Sequence, residues 1–136
     1  MAAYLGAALA FLGADMAWFG LTAQRLYGRI LGDLLAPSVN LSAAFAFYLV
    51  FPLGLTIFAI VPASTEGSAT AAARRGGLFG FFAYATYDLT NQATLRGWTT
   101  ALTLVDIAWG TALAAFAAFA GYQAARLWQR RAKVRP

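Results

Sequence analysis

Polar side chains recur at helical spacing inside one otherwise apolar stretch of the sequence, residues 76–95. At about 100° per residue, one face of a helix over this stretch carries Tyr84, Tyr87, Asp88 and Asn91. A carboxylate at the middle of a bilayer costs roughly 2.5–3.5 kcal/mol even on the permissive insertion scale. We therefore predict that this face contacts other protein or a polar cavity rather than lipid.

Two further aspartates lie in apolar stretches, and we expect them near the same depth in a membrane. At 1.5 Å per residue, Asp15 and Asp88 come about 18 Å along helices that run outward, and Asp106 comes about 10 Å into a helix that runs inward. In a hydrocarbon core about 30 Å thick these positions nearly coincide. Carboxyl groups this close do not all ionise in a low dielectric, so we expect one of them to exchange a proton.

A tryptophan follows two of the aspartates by three positions, in Asp15–Trp18 and again in Asp106–Trp109. Three positions are close to one helical turn, so each tryptophan lies on the same face as its aspartate. Because the two stretches run in opposite directions, the match hints at an inverted repeat of the kind found in some transporters. Tyr48, in another apolar stretch, is a further hydrogen-bond donor for a carboxylate.

The composition indicates that helices in a membrane position these residues. Hydrophobic residues make up 61% of the 136 residues and charged residues only 11%, against about 45–50% and about 25% in soluble domains. We predict a single all-α integral membrane domain with four transmembrane helices, each near the roughly 20 residues that cross a bilayer. The predicted spans are residues 2–24, 41–61, 76–95 and 99–127.

The connections between the spans are predicted from their local patterns. Residues 25–40 place apolar side chains at helical spacing, which indicates a short helix lying in the membrane interface. Ser38 or Asn40 can cap the next helix, which Pro52 should kink. Residues 62–75 are predicted to form a polar loop. The turn after the third span is very short, so the third and fourth spans should be antiparallel neighbours.

The basic residues indicate the orientation of the chain in the membrane. The formal net charge is +5, and five of the ten basic residues fall in the last eleven positions, after an apolar helix. This pattern is typical of a cytoplasmic anchor that contacts anionic headgroups, and it argues against a nucleic-acid partner. We predict cytoplasmic N- and C-termini, with a basic cytoplasmic tail at residues 128–136 and Arg74 and Arg75 on the same side.

Histidine and cysteine are both absent from the sequence. Histidine is the commonest general base and a common metal ligand, and cysteine supplies thiolate ligands and nucleophiles. We therefore predict no metal site and no cofactor. The same absence favours a binding or transport protein over an enzyme.

Three segments of the chain resemble a family of small bacterial membrane proteins of unknown function. They are AYATYDLTNQATLRGW at residues 83–98, VDIAWGT at residues 105–111, and the region of Asp15 and Trp18. The run Tyr-Asp-Leu-Thr-Asn in the first segment is a specific part of the resemblance. The resemblance covers essentially the whole chain and implies a four-span protein of the bacterial inner membrane. It implies no activity and gives no residue a role.

Three functions fit a polar centre inside a membrane domain. The first is binding or transport of a proton, a cation or a small amphipathic ligand, lipid-like or cationic, because aromatic faces beside carboxylates attract organic cations. Small four-span multidrug transporters offer an analogy, and with it a homodimer, although this sequence lacks their motifs. The second is an intramembrane enzyme that modifies a lipid, with an aspartate as general acid or base. The third is a non-catalytic subunit or assembly factor of a membrane complex.

The residues predicted to bind the ligand are Asp15, Trp18, Tyr48, Tyr84, Tyr87, Asp88, Asn91, Asp106 and Trp109.

Overall fold

The protein is helical through nearly all of the described residues. A computed structural model describes residues 1–22 and 26–134, and of residues 33, 133 and 134 the backbone alone. In this part of the chain the helices are α1 (Ala2–Thr22), α2 (Gly28–Leu31), α3 (Leu41–Leu55), α4 (Val61–Glu66), α5 (Ala69–Thr94) and α6 (Thr100–Val134). A 3-10 turn (Gly32–Leu34) follows α2, and a π-helical turn (Thr56–Ile60) joins α3 to α4. None of these residues lies in a strand, and the all-α fold class is confirmed for them.

Three helical segments are long and apolar enough to cross a membrane. They are Ala2–Thr22, Leu41–Glu66 and Thr100–Ala132, with mean hydropathies of 1.4, 2.3 and 1.7. Among the described helices, α5 does not meet the same criterion, since polar residues and two arginines interrupt it. The predicted end of the first span at residue 24, and the basic residues Arg25 and Arg135, lie outside the described residues.

The segment Leu41–Glu66 is one continuous helical rod. It begins at Asn40, whose side chain accepts a hydrogen bond from the backbone N–H of Ala43 at 3.1 Å, as the capping pattern predicts. Pro52 cannot donate a backbone hydrogen bond, and the helix changes to a π-helical turn four residues after it. The hydroxyl of Thr56 donates to the carbonyl of Pro52 at 2.8 Å in that turn.

The prediction of a polar loop at residues 62–75 is wrong. Pro62 lies in the first turn of α4, directly after the π-helical turn, and the alanines that follow favour helix. The connection between α4 and α5 is only two residues long. Gly67 ends α4 with a φ of 66°, in the left-handed region where glycine is favoured, and Ser68 caps α5 by accepting from the N–H of Ala71.

Helix α6 lies between α1 and α5 and packs against both. Along its contact with α5, each step of four residues up one helix is matched by four residues down the other, so the two helices are antiparallel, as predicted. We call this set of contacts the small-residue ladder. Its facing pairs are Gly76 with Ala118, Gly80 with Ala114, and Tyr84 with Gly110.

The buried core fills the end of the bundle where α4 and α5 meet. Alanines dominate it, because small side chains let membrane helices approach closely, and a second cluster around Phe11 and Leu55 continues it along the bundle. Helix α6 runs through to Val134, so most of the predicted tail at residues 128–136 is helical. Helix α5 likewise begins seven residues before the predicted third span.

Candidate functional site

A cavity of about 720 Å³ lies at the end of the bundle where α1 and α5 finish and α6 begins. Four helices and the segment between α1 and α3 form its wall. The lining residues are Asp15, Trp18, Phe19, Tyr27, Leu31, Leu35, Ala36, Val39, Phe47, Phe51, Ala83, Tyr84, Tyr87, Trp98, Asp106 and Trp109. Val39 and Tyr87 are 73% and 57% exposed, so the cavity has an open rim.

One wall of the cavity is built around the carboxylate of Asp15, which is only 3% exposed. The hydroxyl of Tyr48 donates to it at 2.8 Å, and the indole N–H of Trp109 donates to its other oxygen at 3.3 Å. These donors come from α3 and α6, so one carboxylate of α1 joins three helices. Both of its oxygens are satisfied, as a buried carboxylate requires.

The facing wall is built around Asp106, which is 7% exposed. The hydroxyl of Tyr27 donates a hydrogen bond to this carboxylate and accepts one from the indole N–H of Trp18 at 3.3 Å. Burial raises the pKa of the Tyr27 phenol, and the hydrogen bond to Asp106 raises it further. Tyr27 therefore keeps its proton, and remains a donor, well above neutral pH.

The two walls are related by a local pseudo-twofold arrangement. The indoles of Trp18 and Trp109 stack face to face, with ring centroids 4.4 Å apart and planes 9° from parallel. Each aspartate accepts from one tyrosine, and each indole N–H points to the aspartate of the other helix, directly to Asp15 and through Tyr27 to Asp106. The spacing shared by the two Asp–Trp pairs thus corresponds to a shared geometry. An inverted repeat of the whole domain stays a prediction.

Asp88 is different from the other two aspartates. Its side chain is fully buried, and within the described part of the chain neither carboxyl oxygen has a hydrogen-bond partner. It comes four residues after Tyr84, and Asp106 comes four residues before Gly110, so the two acids stand where the next pair of the small-residue ladder would be. Their carboxyl groups are near enough for their charges to interact. A buried polar group with no partner is rare and calls for a functional explanation.

Six of the nine residues predicted to bind a ligand line this cavity, and three do not. Tyr48 reaches only the carboxylate of Asp15, and Asn91 lies beyond the lining. Asp88 shares its helical row with Tyr84, but it is fully buried and does not line the cavity, whereas Tyr84 does. Two of the three predicted acids therefore share the cavity, and the third does not line it.

Tyr27 is the site residue that the sequence pattern did not single out. The signal available was weak: a tyrosine just beyond the end of an apolar span, long enough to reach an acid near the start of another. The segment that carries it also closes the cavity, since Leu31 and Leu35 line it. Trp98 lines it as well and donates to the hydroxyl of the buried Thr103 at 3.1 Å.

The sequence model of a family described as "Predicted membrane protein (DUF2177)" matches residues 1–123. The chain belongs to this family. Comparison with curated proteins and comparison with solved structures gave no match. For this DUF2177 protein, the geometry of the cavity therefore carries the functional argument.

The cavity of this DUF2177 protein offers two hydrogen-bonded carboxylates, two stacked indoles and further aromatic walls. In residues 1–22 and 26–134, no group of three or more acidic side chains is arranged to hold a metal ion. None of the lining residues that the structure describes is basic. Such a site attracts a positively charged or hydrogen-bond-donating group and surrounds it with aromatic rings.

Proposed function

We propose that this protein is a four-span membrane protein that binds a small organic cation in the cavity and exchanges it across the membrane for a proton. The observation that carries the proposal is the pair of carboxylates, Asp15 and Asp106, buried on the cavity wall. The salt bridge within the described residues joins Arg75 to Glu66 on the surface, far along the chain from either acid. Negative charge in a low-dielectric cavity favours a cation, and the described residues of its wall include no basic side chain to neutralise that charge.

The aromatic walls favour an organic cation over a small inorganic one. Trp18 and Trp109 flank the two carboxylates, and Tyr84 and Tyr87 face them from α5. An ammonium group within about 6 Å of such ring faces gains roughly 0.5–2 kcal/mol, more when it is desolvated. Inorganic cations prefer several oxygen ligands at once, which two carboxylates with satisfied hydrogen bonds do not supply.

We propose α5 as the fourth transmembrane helix. Its 26 residues would extend about 39 Å at 1.5 Å per residue, more than the roughly 30 Å of a bilayer core. The small-residue ladder holds α5 along α6, one of the three strongly apolar segments. Two helices in such contact share the membrane, and the polar face of α5 is covered by α6 and the cavity.

The orientation of the proposal follows from the basic residues. With four spans, the N-terminus, the α4–α5 turn and the C-terminus lie on one side, together with Arg74, Arg75 and the basic end of α6. The positive-inside rule makes this side cytoplasmic. The protein would then lie in a bacterial inner membrane, with α2 in the outer interface and the end of α6 against anionic headgroups. We include a homodimer in the proposal, to be tested by the mass of the protein in lipid nanodiscs.

In this exchange, the proton binds at Asp88 and Asp106. Asp106 faces the cavity, and Asp88 stands behind it without a hydrogen bond. The ionisable groups facing this pair are Tyr27 from the connection, Asp15 from α1, and Tyr84 and Tyr87 from α5. A cation at Asp106 stabilises its negative charge, and loss of the cation leaves two repelling acids that take up a proton.

Binding of butyltrimethylammonium to the purified protein in nanodiscs tests the cation site. Intrinsic tryptophan fluorescence is the readout, since Trp18, Trp98 and Trp109 line the cavity. We expect saturable binding that weakens at least about tenfold in Asp15→Asn and Asp106→Asn, since tenfold corresponds to about 1.4 kcal/mol. Glu66→Gln is the matched control, because it removes an exposed carboxylate paired with Arg75. Equal affinity in all four proteins, or equal affinity for an uncharged isostere of the probe, would overturn the proposal.

Flux in liposomes tests the exchange. We expect an imposed pH gradient to drive uptake of the same probe, and we expect Asp88→Asn to abolish the effect of the gradient while binding persists. Gradient-driven uptake that is the same in Asp88→Asn and the wild type would remove the proton from the proposal. A deletion strain with an altered lipid composition, restored by the wild type but not by Asp88→Asn, would favour the lipid-modifying enzyme instead.

A further inference from the structure

A second, wholly apolar groove of about 480 Å³ lies beside the cavity, between α3 and α5. Phe47 and Phe51 line both spaces, so the wall between the polar cavity and the groove is shared. Phe58 and Phe79 form the far part of the groove, with their rings stacked at 6.0 Å and 16° from parallel. The two spaces together therefore have one acidic, aromatic part and one hydrocarbon part.

We propose that the ligand is a single-chain amphiphile with a cationic head, whose head binds beside Asp15 and Asp106 and whose alkyl tail lies in this groove. The inference rests on the proposed function, because the charge of the head is taken from it. The alkyl tail is inferred from the groove alone, because the groove offers no polar side chain. A carboxylate pair next to an apolar groove matches the two ends of such a molecule.

The groove has the length and the opening that a tail needs. Phe47 and Phe58 are eleven residues apart on one helical rod, which corresponds to about 16 Å at 1.5 Å per residue. Gly54 lies between them, and a Cβ atom at this position would come within 2.7 Å of the ring tip of Phe79. A side chain at residue 54 would therefore fill the groove. Phe58 and Val50 are 64% and 66% exposed, so the tail can enter sideways from the surrounding hydrocarbon.

Alkyltrimethylammonium probes of different length test the inference in nanodiscs, with empty nanodiscs as the baseline for partition into lipid. After that correction we expect dodecyltrimethylammonium to bind more tightly than butyltrimethylammonium. We expect Gly54→Leu to weaken the dodecyl probe by about tenfold or more, the effect of losing the burial of roughly two methylene groups, and to leave the butyl probe unchanged. Gly13→Leu is the matched control, because nothing lies within 4 Å of a Cβ at Gly13.

A second variant covers the case in which Gly54→Leu does not fold. Val50→Trp narrows the groove from its exposed wall without entering the core, and we expect it to weaken the dodecyl probe selectively as well. If chain length has the same effect in the wild type and both variants, a bilayer acyl chain occupies the groove and the inference fails, while the cation site stands. If neither probe binds the wild type saturably, the proposed function fails first.

Discussion

The α5–α6 contact has two halves that differ in kind. Towards α4 the facing residues are glycine and alanine, the helices touch backbone to backbone, and no polar side chain is needed. Towards the cavity the same four-residue step brings Tyr84 over Gly110 and then sets Asp88 opposite Asp106. One pairing of two helices thus provides close packing at one end and an acidic site at the other. The residue at each fourth position decides which.

The halves also differ in how they meet the demands of a membrane. The half of the contact nearer α4, which we call the closed half, gains its stability from close packing of the two helices, which small residues make possible. The half nearer the cavity, the open half, contains buried acids. Three aromatic side chains donate hydrogen bonds to Asp15 and Asp106, whereas Asp88 has no donor among the described residues. We infer that the unsatisfied group is retained for function, because a hydrogen-bonded or apolar residue at that position would stabilise the bundle.

The largest effect is expected in the closed half. Gly80→Ala places a Cβ 2.5 Å from both the Cβ of Ala114 and the carbonyl oxygen of Gly110, so the helix backbones must separate. Such overpacking costs about 1–3 kcal/mol, measured as a lower free energy of unfolding in detergent. Gly77→Ala is the matched control, since its Cβ finds no atom nearer than 3.5 Å. Equal destabilisation by both substitutions would show that the distance between the two helices does not set the cost of an added Cβ in this half.

Leucine substitutions at the two acids of the open half, Asp106 and Asp88, are expected to change the stability of the protein in opposite directions. Asp106→Leu leaves the Tyr27 hydroxyl without its acceptor and should destabilise the protein by about 1–2 kcal/mol. Asp88→Leu removes a buried polar group that has no partner and should stabilise the protein by a similar amount, about 1–2 kcal/mol. Thermal unfolding of the two variants in the same detergent measures the difference. Loss of stability in both would mean that Asp88 has a partner in the folded protein.

A smaller effect is expected for one donor to Asp15. Tyr48→Phe removes the hydroxyl that donates at 2.8 Å and leaves the indole of Trp109 in place. Interhelical hydrogen bonds in membranes contribute about 0.6 kcal/mol on average, so the unfolding midpoint should fall only slightly. Tyr4→Phe is the matched control, because the exposed Tyr4 hydroxyl donates to the carbonyl of Leu49 at 3.3 Å. If Tyr48→Phe costs several times more than this average, the open half depends on its polar network more than we infer.

The helices and the level of the polar centre could be predicted from the sequence. Apolar length located the three segments that are long and apolar enough to cross a membrane, and residue type gave Asn40 as one of two candidate caps. Counting at 1.5 Å per residue predicted the three acids at one end of the bundle. The loop at residues 62–75 could not be predicted in the same way. Its alanines, serines and threonines are compatible with both loop and helix, and the packing of α4 and α5 in the core decided for helix.

The partners of the acids could not be predicted either. Helical periodicity gives the face on which Asp88 lies, but not whether that face meets a cavity or another helix. Tyr27 lies in a connection whose path the sequence does not fix, and only the folded chain brings its hydroxyl to Asp106 across 79 positions.

By itself, the sequence determined that this chain is helical and belongs in a membrane, and it predicted acids at a common depth, because hydrophobicity, helical rise and the cost of burying charge are local properties of the chain. The tertiary structure alone decided that Asp15 and Asp106 line one cavity with the stacked indoles of Trp18 and Trp109, while Asp88 is buried without lining it. Those positions depend on how each helix is rotated about its axis. That rotation is set by contacts between residues far apart in the chain, here the glycines and alanines that bring α5 and α6 together.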